Sequence, residues 1–207
     1  ILDAHYDGVS NAPGADDNGA GVAGVLEAAR ILSQYNFERS INFIGFDLEE
    51  QGTVGSARYV NDGGMEDWED VRAVVNYEMI GYYSDLDSTQ EFPNGFINLF
   101  PDAYDSVAAQ NFKGNFLTNV GNQNSQPLIN TFDSCAAAYV PALRVISIAA
   151  PGTGFLTPDL RRSDHSRFWD KGIQALMLSD GAEFRNQNYH TPADSLELLD
   201  LNFMTNN

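Results

Sequence analysis

The sequence predicts an α/β fold in which a mostly parallel sheet is covered by helices on both faces. Three observations lead there. Five short apolar runs lack the polar alternation of a half-exposed strand, a helix-periodic stretch separates the first two, and no linker, repeat or low-complexity tract divides the 207 residues. Continuous apolar runs suit strands buried on both faces. A chain of this length is most simply one domain, 1–207, with a substantial core.

The first run, ILDA at 1–4, reads as a strand. Residues 20–35 then place Val22, Val25, Leu26, Ala29 and Leu32 at the spacing of one helix face. INFIGF at 41–46, AVVNY at 73–77, LRVISIA at 143–149 and IQALML at 173–178 supply the remaining strands, with further helices over 102–112 and 164–171. Segments 84–95, 113–127 and 150–163 are rich in loop residues and long enough to wall a site. Near the end, Asp194 is placed to cap a helix beginning SLELLD. The chain opens inside an apolar run and stops as a helical pattern begins, so it is expected to be truncated at both ends relative to a longer parent.

Twenty-nine acidic against eleven basic residues give a formal charge of −18, which would repel nucleic-acid phosphates and favours cations as partners. No apolar run reaches the length of about 20 residues that a membrane helix needs. A single cysteine, Cys135, excludes an internal disulfide and a thiolate-rich zinc cluster; within SCAAAY it reads as a packed thiol. The acidic loop Asp85, Asp87 and Glu91 lacks the ordered spacing of a calcium loop and reads as solvated.

The chemistry gathers at strand ends. His5 follows the first strand, Glu49 and Glu50 follow INFIGF, and Glu78 follows AVVNY. In an open parallel sheet such ends share one edge, where ligands bind. The turn PGADDNGAG at 13–21 offers Asp16, Asp17 and Asn18, of which a helix N-cap accounts for one. His190 lies in NYHTPAD, and His165, in RSDHSRF, reads as structural. Mixed imidazole and carboxylate donors suit zinc. Two ions sharing a bridging carboxylate would neutralise the acids, with one of the paired glutamates binding metal and its neighbour free to accept a proton.

Taken together, AHYDG (4–8), PGADDNGAG (13–21), FDLEEQGTVGS (46–56), VNYEMIGY (75–82), RSDHSRF (162–168) and YHTPADS (189–195) give a chain that resembles the co-catalytic zinc exopeptidases of the secreted bacterial leucyl aminopeptidase type. The resemblance implies a three-layer sandwich around a mixed sheet and a secreted or periplasmic location. It implies two zinc ions ligated by His5, Asp17, Glu50, Glu78 and His190. Asp17 would bridge, with His5 and Glu78 on one ion and Glu50 and His190 on the other. Glu49 would be the general base, Asp7 would orient His5, Tyr189 would steady the oxyanion and Arg162 would contact substrate. Relatives commonly carry Asp where this chain has Glu78, whose extra methylene lengthens the arm by about 1.5 Å.

Peptide substrates with free, apolar amino-terminal residues are expected, received by a pocket formed from Met79, Phe132, Phe155 and Leu156. Two other readings belong beside this one. A glutaminyl-cyclase-like acyltransferase would use one zinc and would not need His5, and a catalytically inactive peptidase-like binding domain would have lost ligands or base.

Overall fold

Six short strands form one sheet in the computed structural model, which describes residues 1–65 and 70–207. They are β1 (Leu2–His5), β2 (Phe43–Phe46), β3 (Val74–Tyr77), β4 (Leu117–Asn122), β5 (Val145–Ala150) and β6 (Ala175–Ser179), in the order β2-β1-β3-β6-β4-β5. Strands β2, β1, β3 and β6 run parallel, with Leu2 opposite Phe43 and Val74 opposite Ala175. β4 pairs antiparallel with β6 and parallel with β5, so two strands oppose the other four. The sheet is therefore mixed.

Side-chain alternation along β6 shows why both faces need cover. Ala175 and Met177 point into a core with Phe46, Val60, Phe168 and Trp169, under helices α2 (Val54–Asn61) and α6 (His165–Asp170). The short α3 (Phe96–Leu99) leads into α4 (Pro101–Ala108), whose Val107 packs with Phe116 and Ile146. Leu176 and Leu178 point the other way, to Ile129 of α5 (Gln126–Tyr139) and Phe203 of α7 (Leu201–Asn206). Helix α1 (Gly21–Leu32) joins these through Val25, packed with Leu2 and Ala4 of β1. This is a three-layer α/β sandwich. No helix among the described residues is long and apolar enough to cross a membrane.

Several expectations change. Leu26, read as part of the buried face of α1, is 66% exposed, because it lies about 100° around the helix from buried Val25. β2 is only partly buried, since it ends the sheet and pairs with β1 alone. Segment 113–127, read as loop, holds β4 and the start of α5. Its polar residues survive inside the sheet because each finds a partner: Asn119 donates to Asp133 and Ser147, and Asn122 accepts from the Ser125 amide. Gly121 leaves room for Ile129, whose Cδ1 would lie 2.7 Å from an added Cβ.

SLELLD forms only a single turn (Leu196–Leu198), and Asp200 rather than Asp194 caps the next helix through the Phe203 amide at 2.9 Å. Cys135 is exposed, because α5 buries the neighbouring Ala136. Asp85 and Asp87 accept hydrogen bonds from Asn115 and Asn111, as befits a solvated loop.

Helix α2 is seated against the end of β2 by Gly55, whose amide donates to the Asp47 carbonyl; a Cβ there would lie 2.3 Å from that oxygen. Gly55→Ala should therefore cost about 1–3 kcal/mol in urea denaturation, the usual range for overpacking. Gly8→Ala, with no atom within 4 Å of the new carbon, should stay within about 0.5 kcal/mol of the parent. Equal stability of the two variants would remove this account of how α2 is seated.

Candidate metal centre

β1 and β3 are parallel neighbours, so His5, which ends β1, and Glu78, which follows β3, meet at one sheet edge. His5 Nε2 lies 3.4 Å from Glu78 Oε2 and 3.3 Å from Asp17 Oδ1. The other Asp17 oxygen, Oδ2, lies 3.0 Å from His190 Nε2, which is 3.1 Å from Glu50 Oε2. Two groups of metal-type donors thus form, His5–Asp17–Glu78 and Asp17–Glu50–His190, with Asp17 common to both. Glu49 belongs to neither group.

The donors fit zinc on two counts. Zinc–ligand bonds of about 2.0–2.2 Å in a tetrahedron put ligand atoms about 3.3–3.6 Å apart, close to the separations observed. In addition, His5 Nε2, Asp17 Oδ2 and Glu50 Oε1 are buried without a hydrogen-bond partner, a costly condition unless a cation satisfies them.

Each donor is held by its own local device. Leu48 (φ +58°) and Thr53 (φ +56°) adopt left-handed backbone around the paired glutamates, so the chain turns after β2 instead of continuing its alternation. Both carboxylate oxygens of Asp7 receive this turn, from the Glu49 amide at 3.0 Å and the Glu50 amide at 3.2 Å. The backbone carbonyl of Asp7 lies 3.1 Å from His5 Nδ1, closer than its carboxylate at 3.5 Å. Asp7 therefore meets His5 mainly through its carbonyl, while its side chain fixes the glutamates.

Asp194, expected as a cap, instead accepts from the amides of Asp16 (3.0 Å) and Asp17 (3.1 Å). Asn18 fastens the same turn to the end of β3, donating to the Tyr77 carbonyl and accepting from the Met79 amide. Asp16 accepts from the Gly81 amide and from Asn186. Of the three polar residues in the turn, one faces the histidines and two secure it. Ser163 donates to Glu78 Oε2 at 2.6 Å. Tyr189 stacks on His190 with centroids 3.7 Å apart.

The unneutralised site is electrostatically loaded. Burial alone would depress the His5 pKa, but the carboxylates of Glu78 and Asp17 outweigh it and push it up to about 12. Burial, then the Glu78 charge, raises Glu49 to about 9, and burial with the Asp17 charge raises Glu50 to about 7. His165 is different: buried edge-on against Trp169, with Nε2 2.9 Å from the Leu160 carbonyl, it is kept neutral by burial with a pKa near 4. It lies in the core, as expected.

Beside Glu78 opens a cavity of about 90 Å³. Val120 of β4, Ile148 of β5 and Met177 of β6 line it, as do Phe96, Phe116 and Phe184, and Arg162 and Tyr189 border it as well. Arg162 donates to Tyr189 Oη at 3.1 Å and to Glu183. The expected pocket residues are elsewhere. Met79 is wholly buried and does not line the cavity; its left-handed backbone (φ +54°) turns the side chain into the core. Phe132 belongs to α5 and packs with Leu176 and Leu178 on the opposite face of the sheet, and Phe155 and Leu156 are 76% and 79% exposed. Strands β4, β5 and β6 supply part of the true lining, through Thr118, Val120, Ile146, Ile148, Met177 and Ser179, and β4 lies in the segment read as loop.

A family model described as Peptidase family M28 matches residues 1–207. Aminopeptidase YwaD of Bacillus subtilis (strain 168) is 40% identical over 94% of this chain and 35% of its own length. The LapA aminopeptidase of Legionella pneumophila superposes with a TM-score of 0.69 at 25% identity, over 99% of this chain and 47% of LapA. BSAP, a zinc aminopeptidase from Bacillus subtilis, shares the fold with a TM-score of 0.69 at 24% identity, over 99% of this chain and 42% of BSAP. The chain spans about a third to a half of the lengths of these relatives.

Because the Glu78 and Asp17 carboxylates outweigh burial and push the His5 pKa well above neutrality, zinc binding at pH 7 should displace a proton from its ring. Titration calorimetry in two buffers of different ionisation heat should show that release, and zinc affinity should fall as pH is lowered. Zinc uptake with no proton release, or with affinity unchanged between pH 8 and pH 5, would contradict the site.

Proposed function

The chain belongs to peptidase family M28, and from that premise we propose that it is the catalytic domain of a zinc-dependent aminopeptidase that hydrolyses the amino-terminal bond of peptides. The observation that carries the reading is the pair of histidine–carboxylate groups joined through Asp17. In this reading His5 and Glu78 would hold one ion and Glu50 and His190 the other, with Asp17 shared between the two groups. Such a pair of ions, when bound, polarises the scissile carbonyl and makes water a competent nucleophile near neutral pH.

The remaining steps fall to side chains. Glu49, outside both groups and with its amide held by Asp7, accepts a proton from the attacking water and passes it to the leaving amine. Its raised pKa in the metal-free site would fall once cations lie beside it, towards the range a general base needs. Tyr189 Oη already accepts from Arg162, so its own proton is free to donate to the developing oxyanion. The negative field of Glu49 and Glu78 suits the substrate's ammonium group.

The apolar cavity beside Glu78 receives the first side chain. At about 90 Å³, with Val120, Ile148, Met177 and Phe116 in its lining, it suits a compact apolar side chain such as that of leucine. Two donor groups with a free Glu49 support this reading over a one-zinc cyclase or an inactive binding domain. The reading extends to a secreted or periplasmic location, the setting of the aminopeptidase type that the motifs resemble.

A panel of aminoacyl anilides and peptides, free or acetylated at the amine, tests the proposal. Chelation should abolish hydrolysis, zinc should restore it, leucine-like first residues should lead, and acetylated substrates should resist. Full activity in protein shown to be metal-free, or equal rates on free and acetylated peptides, would overturn it.

The two glutamates should separate by substitution. Glu49→Gln should keep its zinc by elemental analysis and lose about 10²- to 10⁴-fold in kcat, whereas Glu50→Gln should lose zinc and activity together. The reverse pattern would exchange their roles.

A further inference from the structure

We infer that Glu183 determines specificity by occupying Arg162, so that the enzyme discriminates against dipeptides, whose free carboxylate would otherwise find that arginine. The inference rests on the aminopeptidase reading and deepens it. Among the described residues lining the cavity, Arg162 is the single cation, while Glu78, Glu91, Asp159 and Glu183 are acidic. One guanidinium nitrogen of Arg162 donates to Glu183 and another to Tyr189 Oη. The guanidinium also faces the Tyr189 ring at 5.8 Å.

Position makes this pair relevant to substrate. Arg162 immediately precedes Ser163, which hydrogen-bonds Glu78, and Tyr189 immediately precedes His190. In this reading the terminal carboxylate of a dipeptide, one residue and at most about 3.6 Å beyond the scissile bond, meets this rim, because Arg162, Glu183 and Tyr189 border the cavity that opens beside Glu78. The side chains of Arg162 and Glu183 are 43% and 32% exposed, so a substrate carboxylate can reach them. Meeting there, it must displace Glu183 or accept its repulsion.

The backbone that carries Glu183 is held in place. It sits in the turn Ala182–Phe184, where the Ala182 amide donates to buried Asp180 and the Phe184 carbonyl accepts from the Glu91 amide. A longer peptide, or an amidated one, carries no charge at this point and meets no such penalty. Repulsion of this kind acts on binding, so it should appear in KM more than in kcat, and salt should weaken it.

The test compares Leu-Gly, Leu-Gly-amide and Leu-Gly-Gly as substrates of the zinc-loaded enzyme. The parent protein should favour the amide and tripeptide over the dipeptide, mainly through KM, and added salt should narrow the gap. Glu183→Gln should lower that preference about fivefold or more, and adding Arg162→Gln should cancel the gain. An unchanged preference in Glu183→Gln, or a gain that survives loss of Arg162, would overturn the inference while leaving the aminopeptidase reading intact. Failure to cleave any of the three substrates would overturn both.

Discussion

Negative charge gathered without internal compensation is the constraint on which this site depends. Asp17, Glu49, Glu50 and Glu78 meet around only two imidazoles, and one Asp17 carboxylate lies between both rings. Protons can fill the deficit, as the raised values for His5, Glu49 and Glu50 express. Divalent cations fill it better, because they also satisfy buried donor and acceptor atoms that lack a partner. The surrounding hydrogen bonds make sense in that light. Asp7, Asn18, Asp194 and Ser163 hold the acids close together against their own repulsion.

How much of this was legible in the sequence depends on the range of the interaction. His5, Glu49, Glu50 and Glu78 stood out because each interrupts or ends an apolar run, and buried strands leave that local mark. The mixed direction of the sheet and strand β4 left none. Asn119, Gly121 and Asn122 look like loop residues until Asp133, Ser147 and Ile129 are seen beside them. Asp194 suggested a cap because capping is the local use of an aspartate before a helical pattern. Its actual partners are amides 177 and 178 positions away.

The pocket was misplaced for a related reason. Phe155, Leu156 and Met79 are near the motifs in sequence, whereas the floor of the cavity is set by alternate residues on one face of three adjacent strands. A cavity with a sheet for its floor is stiff, since any change in one side chain must be absorbed by neighbours fixed through the ladder. Exposed Phe155 and Leu156 carry no such restraint.

The reach of Asp194 back to Asp16 and Asp17 bears on the order in which the molecule is made. Residues near the start of the chain cannot take their final geometry until residues close to position 190 have emerged and docked, and contacts of such separation form late. During synthesis the nascent chain would thus present scattered carboxylates and a lone early histidine rather than a finished pair of sites. A site assembled this way cannot be completed before the segment around position 190 has docked.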